Sequence, residues 1–232
     1  MRTATFLIDN WTLMRLGLLG GTFNPVHNGH LAIAHQTRRA LLLDRILFIP
    51  TGDPPHKPSR DLAPAKDRSE MVRLAIAAEP SFALSDVETA RPGKSYSVDT
   101  VRLLQQESGP QARLFFLIGL DAFLDFPSWR EPESLLNLCS FVVISRPGTA
   151  FRALSALPLL PPLPVKALAD LDEGRISTLE IPVGNRHLIC LRLPPSEVSA
   201  SHVRARIKQG LSVANLLPPP VESYILHHHL YE

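Results

Sequence analysis

R-L-G-L-L-G-G-T-F-N-P-V-H-N-G-H, residues 15 to 30, gives in order an apolar strand, a glycine-bearing loop and the first turn of a helix. The apolar run Leu16–Leu19 breaks at Gly20 and Gly21, the loop passes through Thr22, Phe23 and Pro25, and a helix opens near His27. A strand that feeds a helix through glycines aims backbone N–H groups and the positive helix end at one point, which suits a phosphate. Gly20 and Gly21 let the backbone approach a ligand closely. His27 and His30, three apart, share one helix face. Two imidazoles beside N–H donors suit a polyphosphate, and the stretch holds no cysteine or carboxylate cage for a metal.

Composition sets the bounds. A chain of 232 residues, 45% hydrophobic and 20% charged, buries one sizeable core, and its length allows one or two domains. A net charge of +2 speaks against a broad nucleic-acid surface. Cys139 and Cys190 lie in apolar runs and read as buried free thiols of a reducing, cytoplasmic compartment. No apolar run reaches the length of a membrane span. Residues 1–14 read as a loose extension, with Met14 an alternative start, and residues 15–232 as one domain. Residues 149–185, rich in proline, read as a variable excursion with one helix.

The loop is neither the dinucleotide fingerprint G-x-G-x-x-G nor the P-loop G-x-x-x-x-G-K-[ST]. H-N-G-H directly after G-G-T-F-N-P resembles the H-x-G-H signature of the nucleotidyltransferase superfamily, and most of all the bacterial nicotinate-nucleotide adenylyltransferases. Further motifs follow in family order. Arg45–Pro50 is a second buried strand, so strand, helix and strand form a βαβ unit within about 35 residues. T-G-D-P-P-H-K-P leaves its carboxyl end as a loop, because the prolines forbid helix and central strand. At that edge His56 and Lys57 are placed to reach a phosphate or else form a solvated surface loop; P-P-H-K resembles a family loop, which favours function and implies a mobile cover near the bound nucleotides. D-R-S-E-M matches the family's D-R-x-x-M, with Arg68 read as structural. After a short strand at Phe82–Leu84, S-Y-S-V-D-T precedes a helix that Ser95 or Ser97 is placed to cap. The resemblance implies that the backbone at Ser97 meets a pyridine carboxylate.

Arg113–Gly119 is a strong strand, and Asp121 just past its end is placed to accept hydrogen bonds from a ribose. Trp129 offers a flat apolar face to a flat ring. The pattern G-x-D-x-[LF]-x-x-[LF]-x-x-W implies that Asp121 and Trp129 hold the nicotinate nucleotide, that Arg130 adds a backbone N–H or its charge, and that Arg146, in R-P-G after the next strand, reaches a nucleotide. Near the end, S-A-S-H-V-R opens another helix. Its resemblance to I-S-[SA]-T-x-[IV]-R implies that Ser199, Ser201 and Arg204 hold the ATP triphosphate.

Strands and helices alternate, and the suspected residues fall at strand carboxyl ends or helix N-termini. The expected fold is α/β, Rossmann-like and doubly wound, a mostly parallel sheet with helices on both faces. The resemblance implies transfer of AMP from ATP to nicotinate mononucleotide, giving deamido-NAD and pyrophosphate, with His27, His30 and Arg204 as catalytic residues. Gly20, Gly21, Thr22 and Phe23 complete the phosphate site. A Mg2+ ion held mainly by the ATP phosphates completes the set. The expected partners are these two substrates, with no nucleic acid, no membrane and homo-oligomerisation left open. Asn24 stands where the family pattern commonly has aspartate; asparagine serves if that residue mainly accepts turn hydrogen bonds, and activity is lower if its charge matters. Two rivals are an adenylyltransferase for nicotinamide mononucleotide or another phosphate acceptor, and a nucleotide-binding regulator without catalysis.

Overall fold

The computed structural model describes residues 14–54, 62–196 and 198–232. His56, Lys57 and residues 1–13 of the expected extension lie outside this set. Met14 is already tied to the fold, its carbonyl accepting from the Arg113 N–H at 2.8 Å.

Seven strands among the described residues form one sheet: β1 (Arg15–Gly21), β2 (Arg45–Pro50), β3 (Phe82–Leu84), β4 (Arg113–Gly119), β5 (Ser140–Ile144), β6 (Thr178–Val183) and β7 (Arg186–Leu191). The order is β3-β2-β1-β4-β5-β7-β6. Every pairing is parallel except β6 with β7. The helices are α1 (Asn28–Leu41), α2 (Ala65–Ile76), α3 (Ser97–Ser108), α4 (Leu120–Leu124), α5 (Pro132–Leu138), α6 (Val165–Asp172), α7 (Ala200–Lys208) and α8 (Pro219–His227).

Both sheet faces are covered, so the central strands are apolar throughout rather than alternating with polar residues. On β4, Leu114, Phe116 and Ile118 enter a core shared with α3, α4, α5 and α6. Phe115 and Leu117 enter the opposite core with α1, α2, α7 and α8. The doubly wound Rossmann-like reading holds. The chain winds outward from β1 in one direction and from β4 in the other, so their carboxyl ends flank the switch point where such sheets bind ligands.

One expectation is corrected. Residues 149–185 hold more than one helix: a 3-10 turn at Phe151–Ala156, α6, and the edge strand β6. Pro182 hid the strand, since proline argues against a central strand but is tolerated on an edge. Ile181 is buried, while Thr178 and Glu180 face solvent. No helix among the described residues is long and apolar enough to cross a membrane.

Candidate active site

One cleft of about 890 Å³ opens across the carboxyl ends of β1 and β4. Gly20, Gly21, Thr22, Phe23, Asn24 and His30 line it from β1 and the following loop, and Ala200 and Arg204 from α7. Ser97, Asp121, Trp129, Arg130 and Arg146 line the rest. The sequence thus brings eleven expected residues to one cavity. Ser199 and Ser201 sit at the start of α7, outside the lining. The Ser199 hydroxyl caps that helix, accepting from the His202 N–H at 3.2 Å, and lies 3.2 Å from the Ser201 hydroxyl.

His27 is the N-cap of α1, and its ring stacks on His30 with centroids 3.7 Å apart. Their environments differ. The His27 N–H donates to His30 Nδ1 at 3.2 Å. In the neutral imidazole this puts the His30 proton on Nε2. Phe23, with φ 46°, sets its ring 5.0 Å from His30, edge to face. His27 lies beneath, 6% exposed, and its Nδ1 is buried without a hydrogen-bond partner. Burial, and secondarily the Arg146 charge, pushes its pKa down to about 4. An unfolded histidine titrates near 6.5, so the folded chain binds fewer protons between these values. Stability is therefore complete above pH 6.5 and falls as pH drops toward 4, by about 3 kcal/mol in all. Urea midpoints at pH 7, 5.5 and 4.5 are expected to fall less steeply in His27→Gln than in the wild-type chain. Parallel slopes would remove His27 as a source of acid sensitivity.

The glycine inside H-N-G-H has a steric cause. A Cβ on Gly29 would stand 2.7 Å from Ser196 Oγ and 3.0 Å from His27 Nδ1. The hydroxyl can turn away, but the buried ring cannot. Gly29→Ala is expected to cost about 1–3 kcal/mol despite alanine's better helix propensity. A denaturation midpoint equal to wild type would contradict this.

Three contacts were missed in the sequence. The Arg130 guanidinium lies 4.7 Å above the Tyr96 ring and 3.6 Å from Asp99. Arg146 Nε is 3.7 Å from Asp121, so two expected ligands pair with each other. The Glu88 carboxyl, 7% exposed, accepts from the Thr100 hydroxyl at 2.7 Å, and burial raises its pKa. The capping expectation for Ser95 and Ser97 fails: Tyr96 is the N-cap of α3, with no side-chain cap bond. The Ser95 hydroxyl instead accepts from the Gly52 N–H at 3.2 Å, holding the S-Y-S turn to the loop after β2.

Arg68 is structural, as expected. It is 1% exposed and donates to the carbonyls of Ala63, Thr22 and Gly52 at 2.9, 2.8 and 3.0 Å. Asn24 Oδ1 accepts, though from distant partners rather than within the turn: the Ala63 N–H at 3.0 Å and the Tyr231 hydroxyl at 2.8 Å.

A doubly wound sheet with a glycine loop, a cleft histidine and an arginine at its switch point defines a nucleotide-binding α/β protein. The cytidylyltransferase-like family model matches residues 18–206. A Geobacter metallireducens protein named "Probable nicotinate-nucleotide adenylyltransferase" is 42% identical over 218 residues, 94% of this chain and 98% of its own. A Synechococcus protein of the same name is 41% identical, covering 94% of each. The chain therefore belongs to the cytidylyltransferase-like family, among the nicotinate-nucleotide adenylyltransferases. Its fold is also that of the Plasmodium falciparum nicotinic acid mononucleotide adenylyltransferase solved with NaAD, at TM-score 0.67 and 16% identity, covering 94% of this chain and 97% of that one.

Proposed function

We propose that the chain transfers the adenylyl group of ATP to nicotinate mononucleotide, forming deamido-NAD and pyrophosphate. The observation that carries this reading is that one cleft combines a phosphate-type lining on the β1 and α7 side with an aromatic and arginine lining on the β4 side. Its volume of about 890 Å³ suits a dinucleotide-sized product. The relatives' shared name supports the same reaction.

The chemistry asks little of the protein beyond position and charge. A nucleotide 5′-phosphate has its second pKa near 6 and is largely dianionic at neutral pH. It is its own nucleophile and needs no general base. In-line attack on the ATP α-phosphate requires alignment of the two nucleotides and neutralisation of the leaving pyrophosphate. His30 donates from Nε2, and Arg204 offers a planar fork of donors. The N-terminus of α7 adds backbone N–H groups, and Ser199 and Ser201 extend that grip to the outer phosphates. On the other side Trp129 stacks on the pyridine ring and Asp121 accepts from a ribose hydroxyl. The N–H groups near Ser97 and Arg130 meet the carboxylate, while Arg146 neutralises phosphate charge. Lys57 remains an expected further cation.

Among the described residues no three His, Cys, Asp or Glu side chains converge as a metal cage. This donor set fits a magnesium ion that arrives on the triphosphate and is held there mainly by phosphate oxygens, where it would supply charge neutralisation. We place the reaction in the cytoplasm, consistent with Cys139 and Cys190 as buried free thiols.

Isotope labelling tests the route. Label at the ATP α-phosphate is expected in the dinucleotide, label at the γ-phosphate in pyrophosphate, and none on the protein. Label retained covalently on the chain would overturn direct transfer, and absence of a labelled dinucleotide would overturn the reaction.

A further inference from the structure

The carboxyl-terminal segment reaches back across the molecule to the loop that begins the site. It is tied to α1, to α2 and to that loop. The Asn28 N–H, at the start of α1, donates to the Leu216 carbonyl at 2.9 Å, and the Asn28 side-chain amide donates to the Asn215 carbonyl at 2.8 Å. The Tyr224 hydroxyl, on α8, donates to Asp67 on α2 at 2.8 Å. The third tie enters the cleft wall. The Tyr231 hydroxyl, 207 residues along the chain from its partner, donates to Asn24 Oδ1 at 2.8 Å.

Asn24 is a junction. Its Oδ1 also receives the Ala63 N–H, where the chain returns to α2, and its main-chain carbonyl receives Arg204 Nη1 at 2.8 Å. Both Asn24 and Arg204 line the cleft. One face of the Arg204 guanidinium is thus held by the residue that Tyr231 holds, which leaves its other donors directed by that bond. Burial raises the Tyr231 pKa, so the phenol remains a donor throughout the neutral range. Position 24 needs an acceptor oxygen, which asparagine and aspartate supply equally well in shape.

We infer that Tyr231 is a positioning residue for the triphosphate: through Asn24 it fixes the loop after β1 and the Arg204 guanidinium, so that the last residues of the chain set the geometry of the phosphate site. This inference rests on the adenylyl-transfer reading. Tyr231 touches no substrate itself. Its effect falls on the ATP side of the cleft, because Asn24 and Arg204 lie with the phosphate-type lining, apart from Trp129 and Arg130.

Tyr231→Phe removes only the hydroxyl. It is expected to lower kcat/KM for ATP about tenfold, leave the KM for nicotinate mononucleotide within twofold, and shift Tm by no more than a few degrees. Asn24→Ala is expected to lose at least as much, and Tyr231→Phe in that background to add little, since the bond is already gone. Asn24→Asp, which keeps the acceptor, is expected to recover most of what Asn24→Ala loses. Wild-type kcat/KM for ATP in Tyr231→Phe would overturn the inference. So would equal losses for both substrates with a falling Tm, or additive losses in the double variant. Calorimetric binding of ATP separates this from failure of the reaction assignment. If wild type makes no deamido-NAD, weaker ATP binding by Tyr231→Phe still supports the brace, and unchanged binding refutes it.

Discussion

His30→Ala is expected to lower turnover by about 10²–10³-fold while the protein stays folded, the size of effect that follows loss of one preorganised donor to developing charge. The reason is the pairing of the two histidines. The His27 N–H occupies His30 Nδ1, which puts the proton of the neutral ring on Nε2, on a ring that lines the cleft. The ring is half-buried, so its removal is expected to cost little stability. Steady-state pyrophosphate release, with circular dichroism to confirm the fold, checks both halves. Turnover within threefold of wild type would remove His30 from the mechanism.

Arg68→Met should give the largest loss of stability. Arg68 is a fully buried cation, and no carboxylate among the described residues forms an ion pair with it. Three carbonyls take that place, from Thr22 after β1, Gly52 after β2, and Ala63 before α2. Burial pushes the Arg68 pKa down, yet arginine stays protonated at any ordinary pH. Methionine fills much of the space but leaves all three acceptors without this donor. The expected cost is about 3–5 kcal/mol, or about 10 °C in Tm for a chain of this size. A midpoint shift corresponding to less than about 1 kcal/mol would show that the carbonyls find other partners. Both loops that Arg68 ties belong to the cleft's rim, so activity is expected to fall below the folded fraction.

The parts of the fold legible in the sequence were local ones. Leu16–Leu19 ending in Gly20-Gly21 and followed by His27 marks strand, loop and helix within one stretch, and a mostly parallel sheet follows from repeating that unit. Arg68 as structural was also legible, from its place in D-R-S-E-M on an amphipathic helix. What stayed hidden depends on partners far apart in sequence. Nothing local pairs Tyr231 with Asn24, lays Arg130 on Tyr96 or sets Arg146 beside Asp121. The strand β6 was hidden for a different reason, since Pro182 contradicts its pattern everywhere except at an edge. The burial of His27 beneath His30 was equally out of reach: spacing puts two residues on one helix face but does not say which one meets solvent.

The most direct test is pyrophosphate release with ATP and magnesium, comparing nicotinate mononucleotide with its amide. The predicted result is rapid release with the acid and a kcat/KM at least about tenfold lower with the amide, because the proposed N–H contacts near Ser97 and Arg130 would go to a carboxylate that the amide lacks. Release with neither acceptor, while ATP still binds, would contradict adenylyl transfer to a pyridine nucleotide.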